Sequence, residues 1–188
     1  FSLFAERYTI RTVGSLGTIP AGQFQSLNSL MVIGLAPVVA MLWSWLARRK
    51  AEPAMITKFS WGLFALALGF IVAAYAAQQA LATGPVLPTW LIGIYLLHTL
   101  GELFLSPIGL SAVSKLAPER LAGQTMGIWF LGSSLGNILA GLLAGEVTGD
   151  AAAQMPHVFM QVVYLAGATG VVLLVLSRPL SRLMKGVQ

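Results

Sequence analysis

The chain has 188 residues, of which 57% are hydrophobic and 9% are charged, and its net charge at neutral pH is +5. Soluble domains carry about 25% charged residues, so this composition, with a mean hydropathy of +0.82, excludes an ordinary soluble domain and indicates an integral membrane protein. The basic residues lie at the ends of apolar runs, as they do in membrane proteins, so we expect no nucleic-acid partner. The absence of cysteine excludes disulfides and thiol chemistry.

Five membrane-spanning helices are predicted, because the apolar runs are long enough to cross a bilayer and lack the alternation of barrel strands. In chain order, the predicted spans cover residues 23–46, 58–78, 89–114, 122–145 and 157–177. Residues 1–9 are interpreted as the last turns of a preceding helix. The chain opens on an apolar run without a methionine, so we expect it to be part of a longer protein.

The positions of the basic residues predict how the helices are oriented in the membrane. Nine of them lie in alternate loops or after the last span: Arg48, Arg49, Lys50, Lys58, Lys115, Arg120, Arg178, Arg182 and Lys185. The other loops contain Arg7 and Arg11 alone. The positive-inside rule places the more basic set in the cytoplasm. We therefore expect a multi-pass protein of the plasma membrane (the inner membrane where a cell has two) with a cytoplasmic C-terminus.

Glu102 lies inside the third predicted span, whereas the other acidic residues lie in or beside loops. A carboxylate in mid-membrane costs about 2.5–3.5 kcal/mol on insertion scales, and such residues usually serve a substrate, an ion or a proton path. His98 and Ser106 lie one turn before and one turn after it on the same helix face. This stripe predicts a polar cavity, with a proton relay between His98 and Glu102 as one use. A cluster of hydrogen bonds that only joins helices is the alternative.

A hinge is also predicted in the third span. Pro107 removes a backbone hydrogen bond directly after Ser106, and Gly101 precedes the carboxylate. An inert kink is the alternative interpretation.

Polar and aromatic residues on two other spans are further candidates. Gln25 and Asn28 are three residues apart near the start of the first span, where an amide bonds either a neighbouring helix or a ligand. Trp129 and Phe130 lie just inside the fourth span. Position alone favours the interfacial aromatic belt for Trp129.

The fourth span also contains glycine pairs and a formal hydrolase motif. Gly132 and Gly136, and then Gly141 and Gly145, are small-xxx-small pairs that predict close contact between helices. Residues 132–136 match G-x-S-x-G, but that motif requires a strand-to-helix elbow. Because the match lies mid-helix, we assign no catalytic residue. No spacing of His and acidic residues indicates a metal site.

Three segments resemble the proton-dependent oligopeptide transporters (POT/PTR), a family of the major facilitator superfamily. Phe-Gln-Ser-Leu-Asn at 24–28 resembles the family's eighth helix. Thr-Leu-Gly-Glu-Leu-Phe-Leu-Ser-Pro-Ile-Gly-Leu-Ser at 99–111 resembles its tenth helix, and Gly-Gln-Thr-Met-Gly-Ile-Trp-Phe-Leu at 123–131 its eleventh. The resemblance implies an all-α C-terminal bundle of a major facilitator fold, with the end of helix 7 followed by helices 8 to 12. The N-terminal bundle is then expected to be absent from the chain.

The resemblance also implies proton-coupled uptake of di- and tripeptides by alternating access, with the proton gradient as the driving force and no cofactor. In the family, the residue matching Glu102 pairs with the peptide's amino terminus, and the one matching Asn28 helps to hold that group. The residue matching Ser106 lines the pocket and the one matching Trp129 packs against the substrate, which replaces the belt interpretation. Ser29 stands where the family usually has proline, so a local kink there stays open.

Three other functions remain as alternatives at this point. The chain could be a non-transporting membrane subunit whose polar residues join helices. It could belong to a transporter of the same fold for another small solute, because fold does not determine substrate. An intramembrane hydrolase built on Ser134 is the third. In the favoured interpretation the partners are the peptide, protons, the lipid bilayer and the missing N-terminal bundle.

Overall fold

A computed structural model describes residues 2–12, 17–146 and 153–183, and most of them lie in α-helices. The helices are α1 (Ser2–Tyr8), α2 (Ala21–Arg48), α3 (Met55–Thr83), α4 (Thr89–Leu116), α5 (Ala122–Glu146) and α6 (Met155–Leu183). A short 3₁₀ turn at Glu119–Leu121 joins α4 to α5. No strand is present among the described residues. The β-type backbone pairing among them is limited to isolated bridges.

Helices α2 to α6 are long and apolar enough to cross a membrane, which confirms the prediction of an all-α membrane protein with five spans. Each helix contains its predicted span and continues beyond it, because a helix need not end where the apolar stretch ends. α6 passes through Pro179 and ends at Leu183, beyond the predicted end at residue 177. The short helix α1 lies within residues 1–9, where the end of a preceding helix was expected.

The interior of the bundle is built on α3, which packs against α4 and α6, while α2 and α5 pack against α4. Four buried alanines of α3 contribute to the hydrophobic core: Ala73, Ala76, Ala77 and Ala80. Small side chains let helix backbones approach closely, and this supplies much of the packing between membrane helices. Larger residues from other helices fill the space around them, among them Phe4, Leu91 and Ile94.

Glycines set the contact between α3 and α4 at the height of Glu102. A Cβ atom on Gly101 would lie 3.0 Å from the carbonyl oxygen of Gly62 and 3.3 Å from the backbone nitrogen of Leu66. The two backbones therefore touch, which fixes α4 against α3. Gly101 serves this close packing, and α4 is continuous through both Gly101 and Pro107. The hinge at these two residues stays a prediction.

The glycine pairs of α5 do not make the predicted contact within the described chain. A Cβ atom on Gly132, Gly136 or Gly141 would have no neighbour within 4 Å, and the surroundings of Gly145 are outside the described residues. No residue in the apolar window of α5 is buried against the part of the chain that the structure describes. A small-xxx-small pattern permits a close contact but does not supply the partner, so a contact of these glycines with another helix stays a prediction.

Lys58 joins three helices where α2 ends and α3 begins. Its side chain is 11% exposed and forms an ion pair with Glu52. The Lys58 ammonium lies 4.7 Å from the centroid of the Trp43 ring. Trp43 also contacts Trp61 at 6.2 Å and Phe104 of α4 at 5.2 Å between ring centroids. A single cation thus connects α2, α3 and, through Trp43, α4.

We expect Lys58→Met to destabilise the detergent-solubilised protein by about 1–2 kcal/mol, because the substitution removes a desolvated cation–π contact and an ion pair together. The measurement is the thermal unfolding midpoint. Lys115→Met is the matched control, because Lys115 is exposed in the last turn of α4. Equal midpoints for the two variants would show that the contacts of Lys58 contribute nothing to stability.

Candidate functional site

Glu102 extends from α4 on a different side from the contact with α3. Gly101 is buried against α3, and each residue of a helix is turned about 100° from the one before it, so the Glu102 side chain is exposed. Among the described residues, no basic side chain forms an ion pair with its carboxylate. A carboxylate within a membrane span that has no cation beside it is available to a positively charged ligand.

Asn28 of α2 joins Glu102 to Thr99 of α4. Its Nδ2 donates a hydrogen bond to Oε2 of Glu102 over 3.2 Å, and its Oδ1 accepts one from Oγ1 of Thr99 over 2.7 Å. An ionised carboxylate can only accept hydrogen bonds, so the amide nitrogen faces Glu102 and the hydroxyl donates to the amide oxygen. The three side chains form a chain of hydrogen bonds that crosses from α4 to α2 and back.

A cavity of about 400 Å³ lies beside this chain of hydrogen bonds. Its volume is in the range of small-molecule sites, roughly 300–1,000 Å³. Polar residues of α2 and α4 and apolar residues of α3 and α4 line it: Gln25, Asn28, Leu66, Tyr95, His98, Glu102, Leu105 and Ser106. The structure thereby brings together Glu102, Asn28, Ser106, His98 and Gln25, all of which were predicted as site residues.

Trp129 and Phe130 do not line this cavity. The Trp129 ring packs closely on Gly109 of α4, because a Cβ atom on Gly109 would lie 2.1 Å from Cη2 of the indole. The same ring lines a second, mostly apolar cleft of about 370 Å³ between α4 and α5, together with residues such as Val113 and Ile128. Phe130 is 59% exposed. The predicted contact of these two aromatic residues with the ligand is therefore not made within the first cavity.

His98 lines the cavity, but its ring is held by neighbours on α3 and α4. Its Nδ1 lies 2.8 Å from the carbonyl oxygen of Ile94, to which only a protonated nitrogen can donate. The ring meets Phe70 edge-on at 4.8 Å between centroids. It also packs on Gly69 so closely that a Cβ atom on that glycine would lie 2.6 Å from the imidazole ring. The proton relay between His98 and Glu102 stays a prediction.

Four residues around the site were not predicted from the sequence: Tyr95, Thr99, Leu66 and Leu105. Tyr95, Thr99 and Leu105 lie at helical spacing from Glu102, so the helix-face argument that selected His98 and Ser106 could have found them. Leu66 belongs to α3 and reaches the cavity through the glycine contact between α3 and α4. No pattern within one helix indicates such a residue.

The formal hydrolase motif has no catalytic geometry here. Ser134 lies within α5, and its hydroxyl donates to the carbonyl oxygen of Phe130 over 2.9 Å, as helical serines commonly do. A strand-to-helix elbow, which this motif requires, is not formed. In residues 2–12, 17–146 and 153–183, no group of three His or acidic side chains is placed to hold a metal ion.

Comparison with known sequences identifies a family model, PTR2 of the POT family, that matches residues 1–159. The chain is 46% identical over 190 residues to the peptide transporter YePEPT of Yersinia enterocolitica, covering 100% of this chain and 37% of that protein. It is 32% identical over 173 residues to the dipeptide and tripeptide permease B of Aliivibrio fischeri, covering 87% and 35%. The chain therefore spans little more than a third of the length of these relatives.

Solved structures show the same similarity. A mutant of the peptide transporter POT in complex with alafosfalin matches with a TM-score of 0.86 and 37% identity over 98% of this chain and 37% of that one. A POT family transporter in complex with a thioalcohol conjugated peptide matches with a TM-score of 0.80 and 26% identity over 95% and 36%. These matches confirm the expected fold, a bundle from a major facilitator transporter.

Proposed function

The chain belongs to the POT family, and on that premise we propose that the complete protein takes up di- and tripeptides together with protons by alternating access. In this proposal the chain supplies one side of the substrate cavity, and the proton gradient supplies the energy without a cofactor. The observation that carries the proposal is the Glu102 carboxylate in the cavity wall, which makes a hydrogen bond with Asn28 and no ion pair among the described residues.

Glu102 provides the counter-charge that a peptide's amino terminus requires. A zwitterionic peptide loses the hydration of its ammonium when it enters a membrane protein, and an ammonium without a partner is costly to bury. The carboxylate offers this partner, and Asn28 offers an amide oxygen close by as a further acceptor. Ser106 adds a hydroxyl one turn along α4. Protonation of Glu102 would remove the counter-charge and so favour release of the peptide.

The position of Trp129 is consistent with a role at the other end of the peptide. Gly109, on which the indole packs, follows Glu102 by seven residues, which is about 10 Å along a helix at 1.5 Å per residue. Three residues of extended peptide also span about 10 Å. A tripeptide with its amino terminus at Glu102 and its chain extended along α4 toward Gly109 would therefore reach the height of Trp129. This length match supports substrate contact by Trp129 from the second cleft.

Alternating access requires a second bundle that moves against this one about the shared site. α2 and α5 carry large exposed apolar side chains, such as Ile33, Leu135 and Leu142, which could face that bundle or the lipid. The orientation follows from the basic residues, which favour a cytoplasmic C-terminus. The proposed location is the plasma membrane.

A proton-flux measurement on the full-length protein in liposomes tests this function. We expect added dipeptides and tripeptides to cause proton entry, and N-acetylated dipeptides to cause at least about tenfold less, because acetylation removes the ammonium that pairs with Glu102. Absence of flux with every peptide would contradict the proposal. If another small solute causes proton flux and peptides do not, the result would favour a transporter of the same fold with a different substrate.

A further inference from the structure

The hydroxyl of Thr99 departs from the usual behaviour of a helical threonine. Serines and threonines inside helices commonly donate to the carbonyl oxygen one turn earlier, as Ser60 and Thr169 do in this chain. Thr99 instead donates across to Oδ1 of Asn28 on another helix, over 2.7 Å. Its side chain is 0% exposed, so it cannot touch a ligand in the cavity. Whatever it contributes to the site acts through Asn28.

The bond from Thr99 and the carboxylate of Glu102 together decide which way the amide of Asn28 points. A primary amide can rotate by half a turn and exchange its oxygen and nitrogen. With the hydroxyl of Thr99 donating to Oδ1, Nδ2 is directed to the Glu102 carboxylate, 3.2 Å away. The reverse orientation would place the amide oxygen against a carboxylate oxygen, two acceptors with no hydrogen between them. Because Asn28 is only partly buried, water could otherwise compete for its amide.

We propose that Thr99 is a positioning residue for the substrate site: its hydroxyl fixes the Asn28 amide, which holds the Glu102 carboxylate ready for the peptide's amino terminus. This inference rests on the proposed function, since it assigns a ligand to the carboxylate. Thr99 acts before the substrate arrives, because a carboxylate that is already oriented loses less freedom when it binds the ammonium. Loss of the hydroxyl weakens substrate binding and leaves the later steps of transport unchanged.

The first test measures KM and kcat for dipeptide uptake by the full-length protein carrying Thr99→Val, which keeps the shape of threonine and removes the donor. We expect KM to rise about tenfold, because the variant loses one hydrogen bond in a network with a charged member. We expect kcat to stay within about twofold of wild type. Thr99→Ser keeps the donor and restores a KM near wild type, whereas Thr99→Cys, of similar size with a weak donor, does not. A wild-type KM in Thr99→Val overturns the proposal.

The matched control is Thr169→Val, because Thr169 is exposed on α6 and its hydroxyl donates to the carbonyl oxygen of Leu165 in its own helix. A double-mutant cycle with Asn28→Ala then separates positioning from packing. If Thr99 acts through Asn28, adding Thr99→Val to Asn28→Ala leaves KM unchanged. If the substitution raises KM about tenfold in both backgrounds, the role of Thr99 is structural and the proposal is wrong.

A measurement without substrate keeps this inference separate from the proposed function. The infrared carboxylate band of Glu102, assigned by its disappearance in Glu102→Gln, reports the hydrogen bond from Asn28. We expect Thr99→Val to move this band to the position it takes in Asn28→Ala, and a band that stays at the wild-type position overturns the role of Thr99. Failure of the full-length protein to take up any dipeptide, with the band moved as expected, contradicts only the proposed function.

Discussion

Glu102→Gln is expected to abolish concentrative dipeptide uptake while the protein is still made at the wild-type level. Glutamine has nearly the shape of glutamate, and its side-chain oxygen can still accept the hydrogen bond from Nδ2 of Asn28. The substitution therefore removes the charge and keeps the neighbouring contacts. Removing one member of a desolvated charge pair costs about 2–5 kcal/mol, so uptake at low peptide concentration should fall by about 30-fold or more. Radiolabelled dipeptide accumulation in cells or liposomes measures this loss.

The control is Glu119→Gln, which removes an acidic residue from the turn between α4 and α5, outside the membrane-length helices. It should accumulate dipeptide like the wild type. Unchanged accumulation in Glu102→Gln would remove Glu102 from the proposed mechanism. A strongly destabilised Glu102→Ala protein whose melting temperature no dipeptide shifts would instead favour the subunit alternative, in which the carboxylate only joins helices.

The parts of the site that lie on one helix face could be predicted from the sequence. Glu102, His98 and Ser106 follow each other at intervals of four residues, and helix geometry alone places them on one side of α4. The long apolar stretches similarly gave the five spans. The contact between Asn28 and Glu102 is a contact between helices, and the resemblance to a known family, rather than spacing, suggested that these residues share a site.

Contacts between helices account for what the sequence did not reveal. The packing of the Trp129 ring on Gly109 and in the second cleft was not predicted, while its contact with the substrate stays a prediction. The height at which α5 meets α4 decides this position, and no periodicity within either helix encodes that height. Helical spacing could have placed Thr99 near Glu102, but its role depends on the amide of α2 that it reaches.

Local backbone pairing outside the helices was also beyond sequence patterns. The backbone nitrogen of Ile10 donates to the carbonyl oxygen of Val86 over 2.9 Å, and that of Val86 donates to Tyr8 over 2.8 Å. These two bonds attach the segment after α1 to the loop between α3 and α4. Backbone hydrogen bonds depend little on side-chain identity, so two short segments far apart in the chain gave no sign of pairing.

Gly101→Leu is expected to affect both stability and transport, because this glycine sets the distance between α3 and α4. The atoms that a side chain would meet first are the carbonyl oxygen of Gly62 at 3.0 Å and the backbone nitrogen of Leu66 at 3.3 Å. Backbone atoms cannot move aside as a flexible side chain can, so the helices must separate. Overpacking of this kind costs about 1–3 kcal/mol, which lowers the thermal midpoint by about 3–10 °C for a chain of this size.

The same separation would move Glu102, the next residue, relative to the wall that Leu66 forms across the cavity. Dipeptide uptake should therefore fall by more than the loss of stability explains, even at temperatures where the variant is folded. Gly93→Leu is the matched control, because Gly93 lies on the same helix and a Cβ atom there would have no neighbour within 4 Å. If both variants lose the same stability and activity, the cause is the loss of a glycine from α4. If only Gly101→Leu loses stability and activity, the cause is the backbone contact between α3 and α4, which holds the Glu102 carboxylate at its height in the cavity.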